Sequence, residues 1–221
     1  MLEGLIPDGC GKVMNSLEVL NLSRNKLPGG IPASLGSICT LKELYLQDNN
    51  LSGEISGFIH NSTRCISPIL ETLDLSNNLI IGKLPNLSAF TSLGSLFVSN
   101  NQLTGEIPES IGLLYQLQHL SLEENYLEGE INELHFTNLS QLIEVDLSDN
   151  SLSLTFGASW IPPFQLKNLG LASCKLGPSF PNWLQVQSQL SFLDISDAGI
   201  DDFVPDWFWN KLHFIGELNM S

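Results

Sequence analysis

Four histidines and four cysteines are the side chains best suited to bind a metal or to act as nucleophiles, and their spacing favours neither role. The histidines are far apart and form no His-Glu-x-x-His pair, the spacing that places two imidazoles on one face of a helix. The cysteines form no Cys-x-x-Cys pair. We therefore expect neither a metal site nor a cofactor. The histidines are His60, His119, His135 and His213.

Two further patterns match catalytic motifs only in part. Gly9-Cys10-Gly11-Lys12 lacks the spacing of a phosphate-binding loop, and no apolar strand precedes it. Asp74, Asp146 and Asp194 could supply paired carboxylates for acid–base chemistry. However, each occupies the same position of a recurring apolar-Asp-apolar-Ser segment, so they mark a structural repeat. Because kinase and serine-hydrolase motifs are also absent from the sequence, we expect no enzymatic activity.

The recurring segment defines how the chain is organised. Leucine accounts for 41 of the 221 residues, and many lie in copies of L-x-x-L-x-L-x-x-(N/C)-x-L, the signature of the leucine-rich repeat. A partial copy occupies residues 1–16, and a ninth copy begins at 215 and reaches the end of the chain. The eight full copies occupy residues 17–27, 41–51, 70–80, 93–103, 117–127, 142–152, 166–176 and 190–200.

The alternation within each copy predicts a short β-strand. In Leu20-Asn21-Leu22 the leucines point to one side of the strand and the asparagine to the other. Such a short strand cannot bury its leucines alone, so the copies must stack about 4.8 Å apart in a parallel sheet. We therefore predict an α/β-type solenoid. This is a right-handed superhelix with a parallel β-sheet on the concave face, short helical or 3₁₀ turns on the convex face, and uncapped ends.

The asparagine of each copy is predicted to hold the turn that follows the strand. Its amide offers donors and an acceptor to backbone groups that the turn leaves unpaired, in its own repeat and in its neighbours. Cysteine replaces this asparagine in the seventh copy and alanine in the eighth, so we expect the C-terminal third to be held less firmly. The predicted ladder is Asn25, Asn49, Asn78, Asn101, Asn125, Asn150 and Cys174, followed by Ala198.

The segment between one copy and the next returns along the convex side. Gly-x-Ile-Pro or a close variant opens several returns, since glycine permits a tight turn and proline ends the extended segment. We expect one or two helical turns in most returns. The last two should hold fuller α-helices that pack Trp183, Trp207 and Phe208 under the sheet. An insertion at 56–69 should protrude as a loop, and residues 153–165, which lack Gly-x-Ile-Pro, must be built differently.

The net charge of −15 limits the partners of this chain. The chain has nine basic residues and 24 acidic ones, so its excess of negative charge repels DNA, RNA and anionic lipid headgroups. We therefore expect no nucleic-acid binding and no membrane contact by this segment. The sequence also has no uninterrupted apolar stretch of about 18 residues, the length needed to span a bilayer. A curved, non-catalytic repeat surface favours a peptide or protein partner over a small molecule.

The repeats resemble a known family of plant proteins. The pattern LxLSxNxLxGxIP is similar to the extracellular leucine-rich repeats of plant receptor-like kinases and receptor-like proteins. Residues 160–209 resemble the group that includes fungal-xylanase and disease-resistance receptor-like proteins. The resemblance implies ligand recognition at the extracellular face of the plasma membrane, in defence or development, together with a co-receptor. Two alternatives are a secreted inhibitor of a microbial cell-wall hydrolase, similar to polygalacturonase-inhibiting proteins, and a truncated receptor gene.

Such receptors also have a signal peptide, cysteine-bearing caps and a membrane helix. The resemblance does not extend to these parts. We therefore expect an internal slice of an ectodomain or a truncated gene product. Because solenoids need polar terminal caps, leucine should be exposed at both ends. On its own, such a chain is expected to aggregate or to unfold with poor cooperativity.

Exposed aromatic and charged side chains on the strands are the candidates for ligand binding. Ser and Asp fill most outward positions, so the exceptions stand out, and they centre on the fourth and fifth copies. His119, near Glu123 and Glu124, could make binding sensitive to pH between about 5 and 7. The candidate ligand-binding residues are Tyr45, Phe97, His119, Glu123, Glu124 and Tyr126.

Sequons and cysteines provide further candidate sites. Asn61 lies in the insertion and is the first choice among the candidate N-glycosylation sites. Cys39 and Cys65 lie in successive returns, and they either form a disulfide that pins the insertion or remain thiols. We expect Cys174 to be a buried thiol. The sequons are at Asn21, Asn50, Asn61, Asn86, Asn138 and Asn219.

Overall fold

Two parallel sheets run along the chain in a computed structural model that describes residues 1–65, 68–211, 213 and 215–221. We call them the concave sheet and the flanking sheet, and we number the strands in chain order. The concave sheet contains β1 (Val19–Asn21), β3 (Glu43–Tyr45), β5 (Thr72–Asp74), β7 (Ser95–Phe97), β9 (His119–Ser121), β11 (Glu144–Asp146), β13 (Asn168–Gly170), β14 (Phe192–Asp194) and β15 (Glu217–Asn219). The flanking sheet contains β2 (Pro28–Gly29), β4 (Asn50–Gly53), β6 (Leu79–Gly82), β8 (Gln102–Gly105), β10 (Tyr126–Ile131) and β12 (Ser151–Leu154).

Strands of the concave sheet pair in register, one repeat apart. Leu20 lies opposite Leu44, which lies opposite Leu73 on the next strand. Leu44, Leu73 and Leu96 are at most 1% exposed, and each buried leucine contributes roughly 2 kcal/mol relative to an exposed one. This arrangement confirms the prediction of an α/β-type solenoid with a continuous leucine interior.

Short helical turns connect the strands on the convex side. The two α-helices of the described residues are α1 (Ser56–Ser62) and α2 (Asp206–Trp209). At the N-terminal end, Leu2 and Leu5 are 55% and 70% exposed. The 3₁₀ helices are Cys10–Lys12, Ala33–Ser37, Glu109–Leu113, Glu133–Phe136 and Asn182–Val186.

The last two returns hold shorter helices than the sequence led us to expect. Asn182–Val186 is a five-residue 3₁₀ helix, and Asp206–Trp209 is a single α-turn. A repeat of about 24 residues leaves little chain between the proline that opens the return and the next strand. After this 3₁₀ helix, the buried Gln187 side chain anchors the chain to the preceding repeat, because it accepts a hydrogen bond from the Leu166 N–H. Phe208 is buried as expected, whereas Trp183 and Trp207 are only partly buried.

The insertion at 56–69 does not begin as a protruding loop, because its first half forms α1. Ile55, Phe58, Ile59 and Ser62 are buried at helical spacing, so the segment has an apolar stripe that packs into the core. A disulfide joins Cys39 to Cys65 just after this helix, with 5.5 Å between the Cα atoms. Residues 66 and 67 of the insertion lie outside the described residues.

The ladder asparagines join each repeat to the one before it. The Asn101 Nδ2 donates to the Val98 carbonyl of its own repeat and to the Leu75 carbonyl of the preceding repeat, at 3.1 and 3.0 Å. Its Oδ1 accepts from the Ile80 N–H at 2.9 Å. Cys174 keeps one of these contacts, since its thiol donates to the Leu147 carbonyl at 3.3 Å. Burial raises the pKa of this thiol to about 12, which keeps it protonated and able to donate.

Replacing Asn101 with alanine should lower the free energy of unfolding by about 1–3 kcal/mol, because the buried Ile80 N–H loses its acceptor and three carbonyls each lose one of their donors. Urea unfolding followed by circular dichroism would measure the change. Gln102→Ala is the matched control, since Gln102 is the exposed neighbour of Asn101. Equal losses in the two variants would contradict the role of the ladder.

Removing the disulfide with Cys39→Ala and Cys65→Ala together should cost about 3 kcal/mol, because the unfolded chain loses a cross-link that spans 26 residues. Thermal unfolding under non-reducing conditions would measure it. Cys10→Ala removes a free cysteine and serves as the control. If the double variant melts with the parent, the bridge does not stabilise the fold.

Candidate ligand-binding face

Phe97, His119 and Glu144 form a contiguous cluster on the concave sheet. The Phe97 and His119 rings stack with centroids 6.3 Å apart, on neighbouring strands β7 and β9. The His119 Nδ1 lies 3.1 Å from the Glu144 Oε2, directly across on β11. Both side chains of this pair are about one-third exposed. The cluster therefore presents an aromatic surface beside a carboxylate, on a face that remains open to a ligand.

Glu144 was absent from the candidates drawn from the sequence, although a signal for it existed. It occupies the same position in its repeat as His119 does in the previous one, 25 residues earlier. Comparing this first outward position of each strand would have paired the two. The partner of His119 is thus Glu144, rather than Glu123 or Glu124 as the sequence suggested.

Glu123 is a partly buried carboxylate of this face. It follows β9 and accepts a hydrogen bond from the Ser121 hydroxyl. Burial raises the pKa of Glu123 and the nearby charge of Asp146 raises it further, while the Ser121 hydrogen bond acts in the opposite direction. The groups that shift the pKa of Glu123 include no basic side chain, so an incoming cation would stabilise its ionised form.

The other candidates are separated from this cluster. Tyr45 lies on β3, two strands away from Phe97, and its hydroxyl donates to Glu43 at 2.9 Å. Tyr126 begins β10 of the flanking sheet and is 67% exposed there, so it does not face the concave side. Glu124 is exposed at the turn between the two sheets, with a left-handed backbone conformation.

The C-terminal five strands of the concave sheet, with the turns that follow them, form an acidic face. These segments contain eight carboxylates and no lysine or arginine. Since these segments hold acidic residues without a lysine or arginine, their field favours a positively charged partner. The eight are Glu123, Glu124, Glu144, Asp146, Asp149, Asp194, Asp197 and Glu217.

Gly170 leaves room for the Asp146 carboxylate to lie across the middle of this acidic face. A side chain at position 170 would collide with the Asp146 carboxylate, which leans over the glycine from the neighbouring strand. Ala172, the next outward position, is also small. On the far side, Asp194 accepts hydrogen bonds from Ser196 and Asn219. The carboxylates of Asp146 and Asp194 therefore both lie on this part of the face in defined positions.

The asparagines of the sequons differ in whether their side-chain nitrogen, Nδ2, already donates a hydrogen bond. The Asn61 Nδ2 donates to the Ala33 carbonyl, and the Asn138 Nδ2 donates to the Gly112 carbonyl. The Asn219 Nδ2 donates to Asp194. Asn50 and Asn86 are exposed, and their Nδ2 atoms donate to none of the described residues. Asn21 lies on the concave sheet, where its Oδ1 accepts from Ser23.

The remaining histidines serve the fold or lie apart from this face. His135 is 4% exposed and forms a capping box with Asn132, while its Nε2 lies 3.0 Å from the Ile107 carbonyl oxygen. His60 lies on α1. In the part of the chain that the structure describes, three or more His, Cys, Asp or Glu residues nowhere meet in a group able to hold a metal ion. Nor does any described helix have the length and apolarity needed to cross a bilayer.

Comparison with known proteins places these features in context. The family described as "Leucine Rich Repeat" matches residues 16–38, 40–62, 70–89 and 92–114. The chain is 42% identical to "Receptor-like protein EIX2" of Solanum lycopersicum over 288 aligned residues, which cover 98% of this chain and 28% of EIX2. The chain therefore spans little more than a quarter of the length of that relative.

Solved structures of plant receptor ectodomains share the fold. The leucine-rich-repeat ectodomain of the Arabidopsis thaliana receptor kinase GASSHO1/SCHENGEN3, in complex with CASPARIAN STRIP INTEGRITY FACTOR 2, matches 99% of this chain and 25% of its own, at 28% identity and a TM-score of 0.84. The Arabidopsis receptor kinase HAESA, in complex with the peptide hormone IDA and the co-receptor SERK1, matches 99% of this chain and 39% of its own, at 25% identity and a TM-score of 0.69.

Glu123→Gln should be more stable than the parent at pH 7. Because burial raises the pKa of Glu123, the folded state binds its proton more readily than the unfolded state does, and stability falls as the pH rises through the raised pKa. Glutamine cannot ionise, so the difference should vanish below about pH 4, where both states of the parent are protonated. Chemical unfolding across this pH range would measure it. Glu124→Gln controls for removing one charge from an acidic protein.

Proposed function

The chain belongs to the leucine-rich-repeat receptor-like proteins of plants, and from that premise we propose that its concave sheet binds a peptide or protein ligand. The role is one of recognition without catalysis. It is carried out on the extracellular side of the plasma membrane, as part of a receptor for defence or development. A co-receptor ectodomain is the second partner, by analogy with HAESA, whose complex contains both a peptide hormone and SERK1.

The observation that carries this proposal is the combination of an aromatic surface and an acidic face on one sheet. Phe97 and His119 stack on each other and remain partly exposed on an otherwise polar surface. Aromatic side chains next to charge are typical of the few residues that dominate binding energy at an interface. Beyond them lie carboxylates without a basic residue among them. The face thus suits an extended ligand with an apolar side chain at one end and basic side chains along its length.

The geometry gives this ligand a direction. Its apolar group would rest on Phe97, and its first cation would approach Glu123 and Glu144 in the next two repeats. A further cation would reach the Asp146 carboxylate, which lies over Gly170. Neighbouring strands are about 4.8 Å apart, so an extended chain that crosses them can present side chains to several repeats.

Selection from a random dodecapeptide library displayed on phage would test the proposal. Immobilised chain should enrich peptides that combine an aromatic or aliphatic residue with several Arg or Lys residues. Phe97→Ala should weaken the selected peptides by about tenfold, the loss typical of a central aromatic contact. Raising the salt concentration should weaken them further, because charge attraction is screened.

Tyr115→Ala provides the matched control, since Tyr115 is an exposed aromatic residue that follows the 3₁₀ helix on the convex side. It should leave the affinity of the selected peptides unchanged. Enrichment of acidic or uncharged sequences, or an equal loss in the two variants, would refute binding at the acidic concave face.

A further inference from the structure

The flanking sheet has an exposed aliphatic surface in the third repeat. On β6 the side chains of Leu79 and Ile81 point outward, and they are 45% and 46% exposed. The outward positions of β4 and β8, the strands on either side, hold only polar residues. Two aliphatic side chains that lie next to each other at this exposure leave apolar area that a covering group would remove from water. The third repeat therefore departs from its neighbours in a way that favours a cover.

An N-glycosylation sequon lies on the neighbouring strand β4 and faces the same way. In Asn50-Leu51-Ser52 the side chains of Asn50 and Ser52 point outward, whereas Leu51 is fully buried. The strand register pairs Ser52 with Leu79. Asn50 therefore lies one strand across and two residues along from Leu79, a separation of about 8 Å by strand geometry. A sugar attached to Asn50 would begin beside the aliphatic surface.

The Asn50 side chain is available in the folded chain. It is exposed, and neither its Nδ2 nor its Oδ1 makes a hydrogen bond with any residue that the structure describes, while its backbone N–H donates to the Leu27 carbonyl at 3.0 Å. By contrast, Asn61, which the sequence favoured, and Asn138 each donate from Nδ2 to a carbonyl of the preceding return. The Asn86 Oδ1 accepts a backbone hydrogen bond within its own return. The strand thus holds the backbone of Asn50 and leaves its side chain unengaged.

We propose that Asn50 carries an N-linked glycan whose first two sugars cover Leu79 and Ile81. Attachment forms a bond between the Asn50 Nδ2 and C1 of an N-acetylglucosamine. It breaks the bond between that C1 and the diphosphate of a polyprenyl-linked oligosaccharide donor, and it releases the polyprenyl diphosphate and one amide proton. The inference rests on the extracellular location of the proposed function, because chains with that destination pass through the compartment that holds the donor.

The chemistry of the first sugars suits the surface that they would cover. The methyl of an N-acetyl group and the C–H face of a sugar ring are apolar, so they pack on Leu79 and Ile81, while the hydroxyls remain in water. Because the sequon specifies the occupant covalently, the aliphatic surface does not have to select a partner. The glycan lies on the flanking sheet and leaves the concave sheet open to a ligand.

Glycopeptide mass spectrometry would test the attachment, on the 221-residue chain expressed in insect cells behind a cleavable signal peptide. Asn50 should be occupied in most molecules. Ser52→Ala destroys the sequon and should abolish the modification of Asn50. Ser153→Ala makes the same change at the same position of the sixth repeat, where residue 151 is serine, and should leave Asn50 occupied. An unmodified Asn50 in both the secreted and the retained protein would overturn the proposal.

Thermal unfolding of the glycosylated chain would test the packing. The parent should melt about 3 °C above Ser52→Ala, because only the folded state holds the sugars against the aliphatic surface. Replacing both Leu79 and Ile81 with serine should remove this difference between the chains with and without the Asn50 sequon. Leu113→Ser, at an exposed leucine of the convex side, should leave the difference unchanged. No difference in the parent, or one that survives the double replacement, would overturn the packing of the glycan.

These experiments do not depend on ligand binding. The signal peptide directs the chain to the glycan donor whatever the chain binds, so Asn50 can be occupied even if peptide selection fails. Ser52→Ala should also leave the affinity of the selected peptides unchanged, since Asn50 lies on the flanking sheet. A loss of peptide affinity in this variant would contradict a glycan confined to that sheet.

Discussion

The structure depends on one constraint, namely that no repeat can bury its own leucines. A three-residue strand exposes two faces, and only a neighbouring repeat covers the inner one. Stacking solves this for the side chains but leaves the turn after each strand with unpaired backbone groups. The ladder asparagines satisfy those groups, and each contacts both its own repeat and the previous one, as Asn101 does with Val98 and Leu75. Burial and hydrogen bonding therefore act across the same interface, and each repeat is stable only as part of the stack.

Much of the fold could be predicted from the sequence, because one pattern sets the strand, its register and its turn. The strands lie where the alternating leucines place them, and Leu20, Leu44 and Leu73 face each other one repeat apart. The returns were less predictable. Their helices form only where a few apolar residues happen to match the available space, as Ile55, Phe58 and Ile59 do in α1. Proline marks where a return begins, but it does not determine how many helical turns follow.

The candidate site could be predicted only in part, since the sequence identifies outward residues without telling which of them meet. Phe97 and His119 were found because aromatic residues are unusual on a polar strand face. Glu144 was missed, since a carboxylate looks like ordinary surface in an acidic chain until it lies 3.1 Å from His119. Tyr126 was included because it is aromatic, yet the turn after Glu124 carries it to the flanking sheet. One residue along the chain is enough to change the face on which a side chain lies.

The seventh repeat shows how departures from the pattern create specialised surface on a rigid scaffold. Cys174 replaces an asparagine of the ladder and makes one hydrogen bond in place of several. Gly170 removes bulk from the concave sheet beside Asp146, and Pro178 stops the flanking sheet on the other side of the same repeat. Neighbouring repeats hold the backbone in place, so these substitutions change the surface without changing the stack. A solenoid can therefore vary its two faces independently within a single repeat, provided that the leucines which face the interior remain.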